Sequence, residues 1–184
     1  MTYNYPHIIT NGGGEELTFL RLVENESGGI LEVANRVRPG AGPPMHVHHL
    51  QDESLTVVQG LMAAQLSGKE PTFHGPGETV TFRRGVPHRF WNAGSDDLIC
   101  KGWVAPANNV EYFLTEIFAS TKANGGKRPV SFDGAFLQMK YRSEFDMPEI
   151  PGLVKALVFP VIVVIGKLLG KHRKFAGAPD AVRR

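Results

Sequence analysis

Side-chain chemistry concentrates in the stretch Gly40-Ala41-Gly42-Pro43-Pro44-Met45-His46-Val47-His48-His49-Leu50-Gln51-Asp52-Glu53. In an extended backbone His46 and His48 project from one face, about 7 Å apart along the strand, so two imidazoles can converge on one metal ion. Glu53, beyond a polar turn, returns from the next strand with a hard oxygen ligand. Farther on, Gly85-Val86-Pro87-His88-Arg89-Phe90-Trp91-Asn92 places a third imidazole, His88, at the start of an apolar and aromatic strand. Three imidazoles and one carboxylate leave positions open on a transition metal, and binding of oxygen or substrate requires such positions.

Other residues carry weaker signals. Phe90 shares a face with His88 and is a candidate pocket residue; Gln65 is a candidate polar group in the same pocket. His49 alternates away from His46 and His48 and is expected to face outward. His7, His74 and His172 have no partner pattern and are expected in solvent. Trp91 and Trp103 read as packing residues. Cys100, the single cysteine, cannot form an internal disulfide and sits in an apolar strand, where burial keeps a thiol inert. No Ser-His-Asp arrangement, phosphate-binding loop or zinc ribbon is present, and Gly12–Gly14 is an isolated loop signal.

These residues need a scaffold of short strands. Thr18–Val23 and Ile30–Val37 have strand composition, and the turn residues Asn25 to Gly29 between them predict a hairpin. Further strand-like runs follow at 55–59, 62–66, 79–82, 88–92 and 98–104, with breaks at 40–44, 68–71, 75–77 and 93–97. Gly and Pro make 34 of the 184 residues, an excess that suits many turns and argues against a helix bundle. Many short strands at this spacing indicate a sandwich or barrel. The period then changes. Val110, Phe113, Leu114, Ile117 and Phe118 share one face of a helix, with Asn108 and Glu111 in a capping-box arrangement. That helix is expected against the outside of the β domain, with a second helix starting near Asp133.

The last region starts at Pro151. Its apolar run, residues 156–166, is about half of a transmembrane helix and is bounded by Lys155 and Lys167. Lys171, His172, Arg173, Lys174, Arg183 and Arg184 follow. The overall charge of +2 hides a division: residues 1–150 carry a net −4 and residues 151–184 a net +6. An apolar segment followed by a basic cluster fits either a segment packed on the protein or peripheral contact with an anionic membrane by residues 151–184. Met1-Thr2-Tyr3-Asn4-Tyr5-Pro6 lacks a basic start and an apolar run, so a cytoplasmic location is expected.

The sequence resembles the cupin superfamily. The first motif of that family, G-x5-H-x-H-x3,4-E-x6-G, is met by Gly40, His46, His48, Glu53 and Gly60. The second, G-x5-P-x-G-x2-H-x3-N, is met by Gly77, Gly85, His88 and Asn92, with Arg83 where the family usually has proline. The resemblance implies an all-β, double-stranded β-helix (jelly-roll) barrel with a C-terminal helical extension. Its divisions would be a barrel over 1–105, a helical segment over 106–150 packed on it, and a tail over 151–184. It also implies that His46, His48, Glu53 and His88 hold one divalent transition metal, Fe, Mn, Zn or Ni, inside the barrel mouth, and that the chain forms a homodimer through barrel-edge strands.

The function expected is a metal-dependent small-molecule enzyme, most simply a dioxygenase, with Glu53 as ligand or catalytic base. The alternative is a non-catalytic ligand-binding or sensing module on the same barrel. A nucleic-acid partner is not expected, because no DNA-binding helix pair accompanies the barrel.

Overall fold

The computed structural model describes residues 3–183; Met1, Thr2 and Arg184, the last cation of the basic tail, lie outside the described residues. Eleven strands come first: β1 (His7–Thr10), β2 (Glu15–Val23), β3 (Ile30–Val37), β4 (Val47–His48), β5 (Asp52–Gln59), β6 (Met62–Leu66), β7 (Thr72–His74), β8 (Thr79–Phe82), β9 (His88–Asn92), β10 (Leu98–Ala105) and, after two helices, β11 (Phe145–Asp146). The helices are α1 (Val110–Ala123), α2 (Ser131–Lys140) and α3 (Phe159–Leu168), the last preceded by a π-helical turn over Val154–Val158.

Six strands form an antiparallel sheet in the order β1-β2-β3-β10-β5-β8, and three form a second in the order β7-β6-β9. Alternation along each strand sends one face inward, where Phe19, Leu31, Leu55, Phe82, Phe90 and Leu98 join one core. A bridge between His46 and His88 joins the chain entering the small β4–β11 pair to β9 of the three-stranded sheet. Antiparallel sheets in this relation are consistent with a double-stranded β-helix, although the hydrogen-bonded ladder does not run continuously round the barrel. The expected hairpin is present: Asn25 Oδ1 accepts hydrogen bonds from the backbone of Ser27 and Gly29 at 2.8 and 3.0 Å, holding the β2–β3 turn. Gly40, Gly60, Gly77 and Gly85 all take positive φ, between 74 and 89°, the left-handed turns that motif positions demand of glycine.

Two expectations about α1 are corrected. Asn108 does not cap it. Asn108 has φ +42° and lies one residue before the N-cap, Asn109. The Asn109 side chain makes no cap hydrogen bond and instead donates to Glu144 Oε1 at 2.6 Å. Glu111, read as the capping-box partner, accepts from Tyr5 Oη at 2.7 Å and pairs with His7 Nδ1 at 2.8 Å. This contact also corrects the expected solvation of His7, which is half-buried between Tyr3 and Phe19.

Nor does α1 lie on the outside of the barrel. Its apolar face, the one the periodicity predicts, turns towards the barrel mouth and walls a cavity there. Helix α2 and the region around α3 close the same cavity. Gly166 lets α3 approach α2, since a Cβ there would overlap the Phe132 ring. Glu144, fully buried, fastens the arrangement. It accepts hydrogen bonds from Gln51 Nε2 before β5, from the backbone and side chain of Asn109, and from the backbone of Val182.

Candidate metal centre

Each half of the site is positioned by backbone pairing. The His46 and His88 backbones exchange hydrogen bonds, N to O at 2.9 and 2.8 Å, which sets their rings side by side with centroids 4.5 Å apart. His48 follows two residues after His46 on the same face, and β4 is held by β11 through the His48–Phe145 pair. Glu53 is the second residue of β5, between Val104 of β10 and Phe82 of β8. Phe82 in turn stacks flat on His88, with centroids 4.2 Å apart.

The turn that carries His88 is clamped by one carboxylate. Asp52 accepts from the Arg84 backbone N–H at 2.8 Å and from the guanidinium groups of Arg83 and Arg84 at 3.2–3.3 Å. Arg83 thus replaces the ring rigidity of proline with a charge contact to the residue beside Glu53. These bonds, chiefly those from Arg84, hold the Asp52 carboxyl at about 2, below its ordinary value.

His46, His48, Glu53 and His88 each offer one donor atom, and the four atoms lie within 4.8 Å of one another. The Nε2 atoms of His46, His48 and His88 stand 3.9, 3.6 and 3.2 Å from Glu53 Oε2. Donors about 2.1 Å from a shared ion stand roughly 3 Å apart when adjacent and 4 Å when opposite, so these separations fit one ion. His46 Nδ1 and His88 Nδ1 lie 2.9 and 2.8 Å from the carbonyl oxygens of Pro44 and Val86. Donation of Nδ1–H to those carbonyls leaves both Nε2 lone pairs aimed at the carboxylate. Lone pairs facing a carboxylate repel unless a proton or a cation lies between them.

The electrostatics carry the same demand. Burial pushes the His48 imidazole down to about 3, helped by the His46 charge, so it stands neutral at neutral pH with a free lone pair. No described residue partners its buried Nδ1. Burial also opposes charging of His46, but the hydrogen bond and charge of Glu53 outweigh it and raise the pKa. Glu53 is held well below the usual carboxylate range: burial works against ionisation and the imidazoles of His46 and His88 overcome it. A neutral imidazole, a second imidazole that attracts a proton and an ionised carboxylate form a donor set that fits a divalent transition metal.

The cluster lies at the base of a cavity of ≈ 520 Å³. His46, His48 and Glu53 line it, whereas His88 lies beneath them, 1% exposed. Phe19, Val33 and Phe90 wall the barrel side; Phe113 and Ile117 of α1 and Ile162 of α3 wall the other. The expected pocket residues part company here. Phe90 lines the cavity, while Gln65 is outside its lining, donating to the Lys69 carbonyl at 2.9 Å and accepting from Arg89 at 2.8 Å. His49 is half-buried, and its backbone N–H donates to the Glu144 carbonyl at 2.7 Å. His74 is held by Thr72, and burial raises the Cys100 thiol to about 12.

Sequence reasoning missed Glu15, Asn11 and Asn35, which bring polar groups to the same cavity. Glu15 accepts from Asn11 Nδ2 at 2.6 Å, and burial raises its pKa. Its alternation along β2 was a signal for an inward carboxylate, but no motif marked it.

The match with known families agrees with this geometry. Residues 35–103, which hold all four clustered side chains, match the family described as Cupin domain. Over that segment the chain is similar to the cupin superfamily. Curated relatives of this chain include "Oxidoreductase iacF" of Pestalotiopsis fici, 35% identical over 42% of this chain and 40% of its own length. Another is "Probable oxidoreductase virH" of Hypocrea virens, 31% identical over 36% of this chain and 31% of its own length. The matched segment thus spans well under half of either relative. Among solved structures, KdgF from Halomonas sp. is 21% identical, covers 53% of this chain and 85% of its own, and has a TM-score of 0.43.

Proposed function

We propose that this chain is a metal-dependent oxidoreductase of dioxygenase type, acting on an apolar small molecule bound on its double-stranded β-helix. The observation that carries this reading is the opening of a three-histidine, one-carboxylate cluster into a cavity walled by aromatic and aliphatic side chains. The oxidoreductase names of iacF and virH support the same class.

His46, His48, Glu53 and His88 would hold one divalent ion, Fe, Mn, Zn or Ni. When bound, a redox-active ion of this set supplies open positions for oxygen and substrate. The chain supplies the rest. Phe19, Phe90, Phe113, Ile117 and Ile162 bury the substrate's apolar body and exclude water from the base of the cavity. Glu53, ionised and reached from the cavity, is placed to take a proton from a bound hydroxyl or enol. Glu15, held by Asn11 and lining the same cavity, offers a further polar contact to a bound molecule.

The test is metal analysis of the purified chain followed by oxygen uptake with apolar phenolic or 1,3-dicarbonyl compounds. About one transition-metal ion per chain and metal-dependent oxygen uptake are expected. Ligand binding with no turnover under any of the four metals would replace this reading with a non-catalytic binding module.

A further inference from the structure

Helix α3 is apolar on all sides but packed on only one. Val163 and Gly166 are buried, and Phe159 and Ile162 line the cavity. On the other side Leu157, Val161, Val164 and Leu168 follow at i, i+4, i+7 and i+11, and they are 64, 56, 57 and 83% exposed. They form one stripe roughly 16 Å long, flanked by the equally bare Leu153, Ile165 and Leu169. A patch of this size on a protein surface marks a contact with something apolar.

The charges beside the stripe say what that contact is. No Asp or Glu occurs between Glu149 and Asp180, yet Lys155, Lys167, Lys171, Arg173 and Lys174 do. Lys155 and Lys174 are committed to Asp146 and Asp133. Lys167, Lys171 and Arg173 are exposed and form no ion pair with a described residue. No helix is long and apolar enough to cross a membrane among the described residues. We propose that the exposed face of α3, with Lys167, Lys171 and Arg173, docks on an anionic lipid bilayer and lies along its surface.

The leucines and valines would sink into the acyl boundary while the cations reach the headgroups. A second copy of this chain is the poorer occupant. A two-fold contact would place the same patch against itself, and residues 150–179 contain no acid to meet the three cations. Lysine is also depleted in protein interfaces, whereas each cation near an anionic bilayer strengthens attachment roughly fivefold. Because the inner side of α3 walls the cavity, docking would bring the cavity next to a reservoir of apolar molecules; that consequence rests on the oxidoreductase reading, and the docking does not.

Flotation of the full chain with vesicles tests it, using phosphatidylcholine alone and phosphatidylcholine with about 30 mol% phosphatidylserine. The chain should float with the anionic vesicles and partition at least about tenfold less onto phosphatidylcholine, or in about 0.5 M salt. Val161→Glu/Leu168→Glu should abolish flotation, and Lys167→Gln/Lys171→Gln/Arg173→Gln should weaken it roughly 100-fold. All five positions are exposed, so unfolding midpoint and metal content should stay at parental values. Failure of the parent chain to float, or equal flotation of parent and variants, overturns the proposal. So does a dimer, seen by light scattering, that Val161→Glu/Leu168→Glu dissociates while no form floats. Flotation is read independently of metal content and oxygen uptake, so its failure is distinguishable from failure of the proposed chemistry.

Discussion

The two ends of the cavity are built on opposite physical terms. At the barrel end, polar atoms are fixed one by one: two imidazole Nδ1 atoms on backbone carbonyls, a ring stacked on Phe82, a carboxylate at the start of β5. At the helical end the lining is mainly apolar. Phe113, Ile117 and Ile162 offer area without direction, and the helix that carries Ile162 leaves its other side bare. Directional bonds specify which atom meets which, so the barrel end can specify a reacting centre. Apolar area is non-directional, so the helical end can set the size and polarity of a ligand while tolerating much variation in its shape.

The largest expected effect comes from breaking the barrel end. His46→Ala removes one of the four donors, and the retained lone pairs still face a carboxylate. Metal affinity should fall by at least about 100-fold, with metal per chain dropping from about one to near zero by elemental analysis. Full retention would mean that the ion is held elsewhere. The same donors should release metal as pH falls, because protons compete for the imidazoles, and His46 binds its proton more readily than an ordinary histidine.

The contrast also explains what was legible in the sequence. Motif spacing picked out all four side chains of the cluster, because a His-x-His pair on a strand and glycines with positive φ are local facts that the chain states within a few residues. The runs at 62–66, 79–82 and 88–92 became β6, β8 and β9 for the same reason. Helical periodicity named the apolar face of α1 correctly but was silent on what it covers: a stripe that lines a cavity and a stripe that packs on a barrel wall have the same period. Asn108 and Glu111 misled because a capping box is a local pattern, and here Glu111 is claimed by Tyr5, 106 positions away, and Asn109 by Glu144, 35 positions away. Gln65 was misplaced by its unknown register after Gly60, and β7 and β11, of three and two residues, were too short to be seen.

Adjacent residues on α3 sharpen the comparison at the helical end. Ile162 faces the cavity and Val161 faces away. Ile162→Asp should destabilise the fold by about 2 kcal/mol and weaken apolar ligands, since an unpaired carboxylate enters an apolar wall. Val161→Glu should shift stability by no more than about 0.5 kcal/mol. Thermal unfolding and ligand titration of the two variants check this; equal losses would mean that α3 is buried on both sides in solution.

The smallest effect concerns the clamp of Asp52 on Arg83 and Arg84, which joins the two motif halves at the surface. Asp52 is largely buried, but the Arg83 and Arg84 side chains that meet it are more than half exposed, so solvent screens much of the interaction. Asp52→Asn should therefore cost only about 1 kcal/mol at neutral pH. The sign of its pH dependence follows from a carboxyl held lower in the folded chain than in the unfolded one. Its stabilisation is complete above the ordinary Asp range near ~4 and is lost as pH falls towards about 2. The parent and Asp52→Asn chains should thus differ in unfolding midpoint at neutral pH and converge in acid. A difference that persists near pH 2 would show that the Asp52 side chain holds the His88 turn by shape rather than by charge.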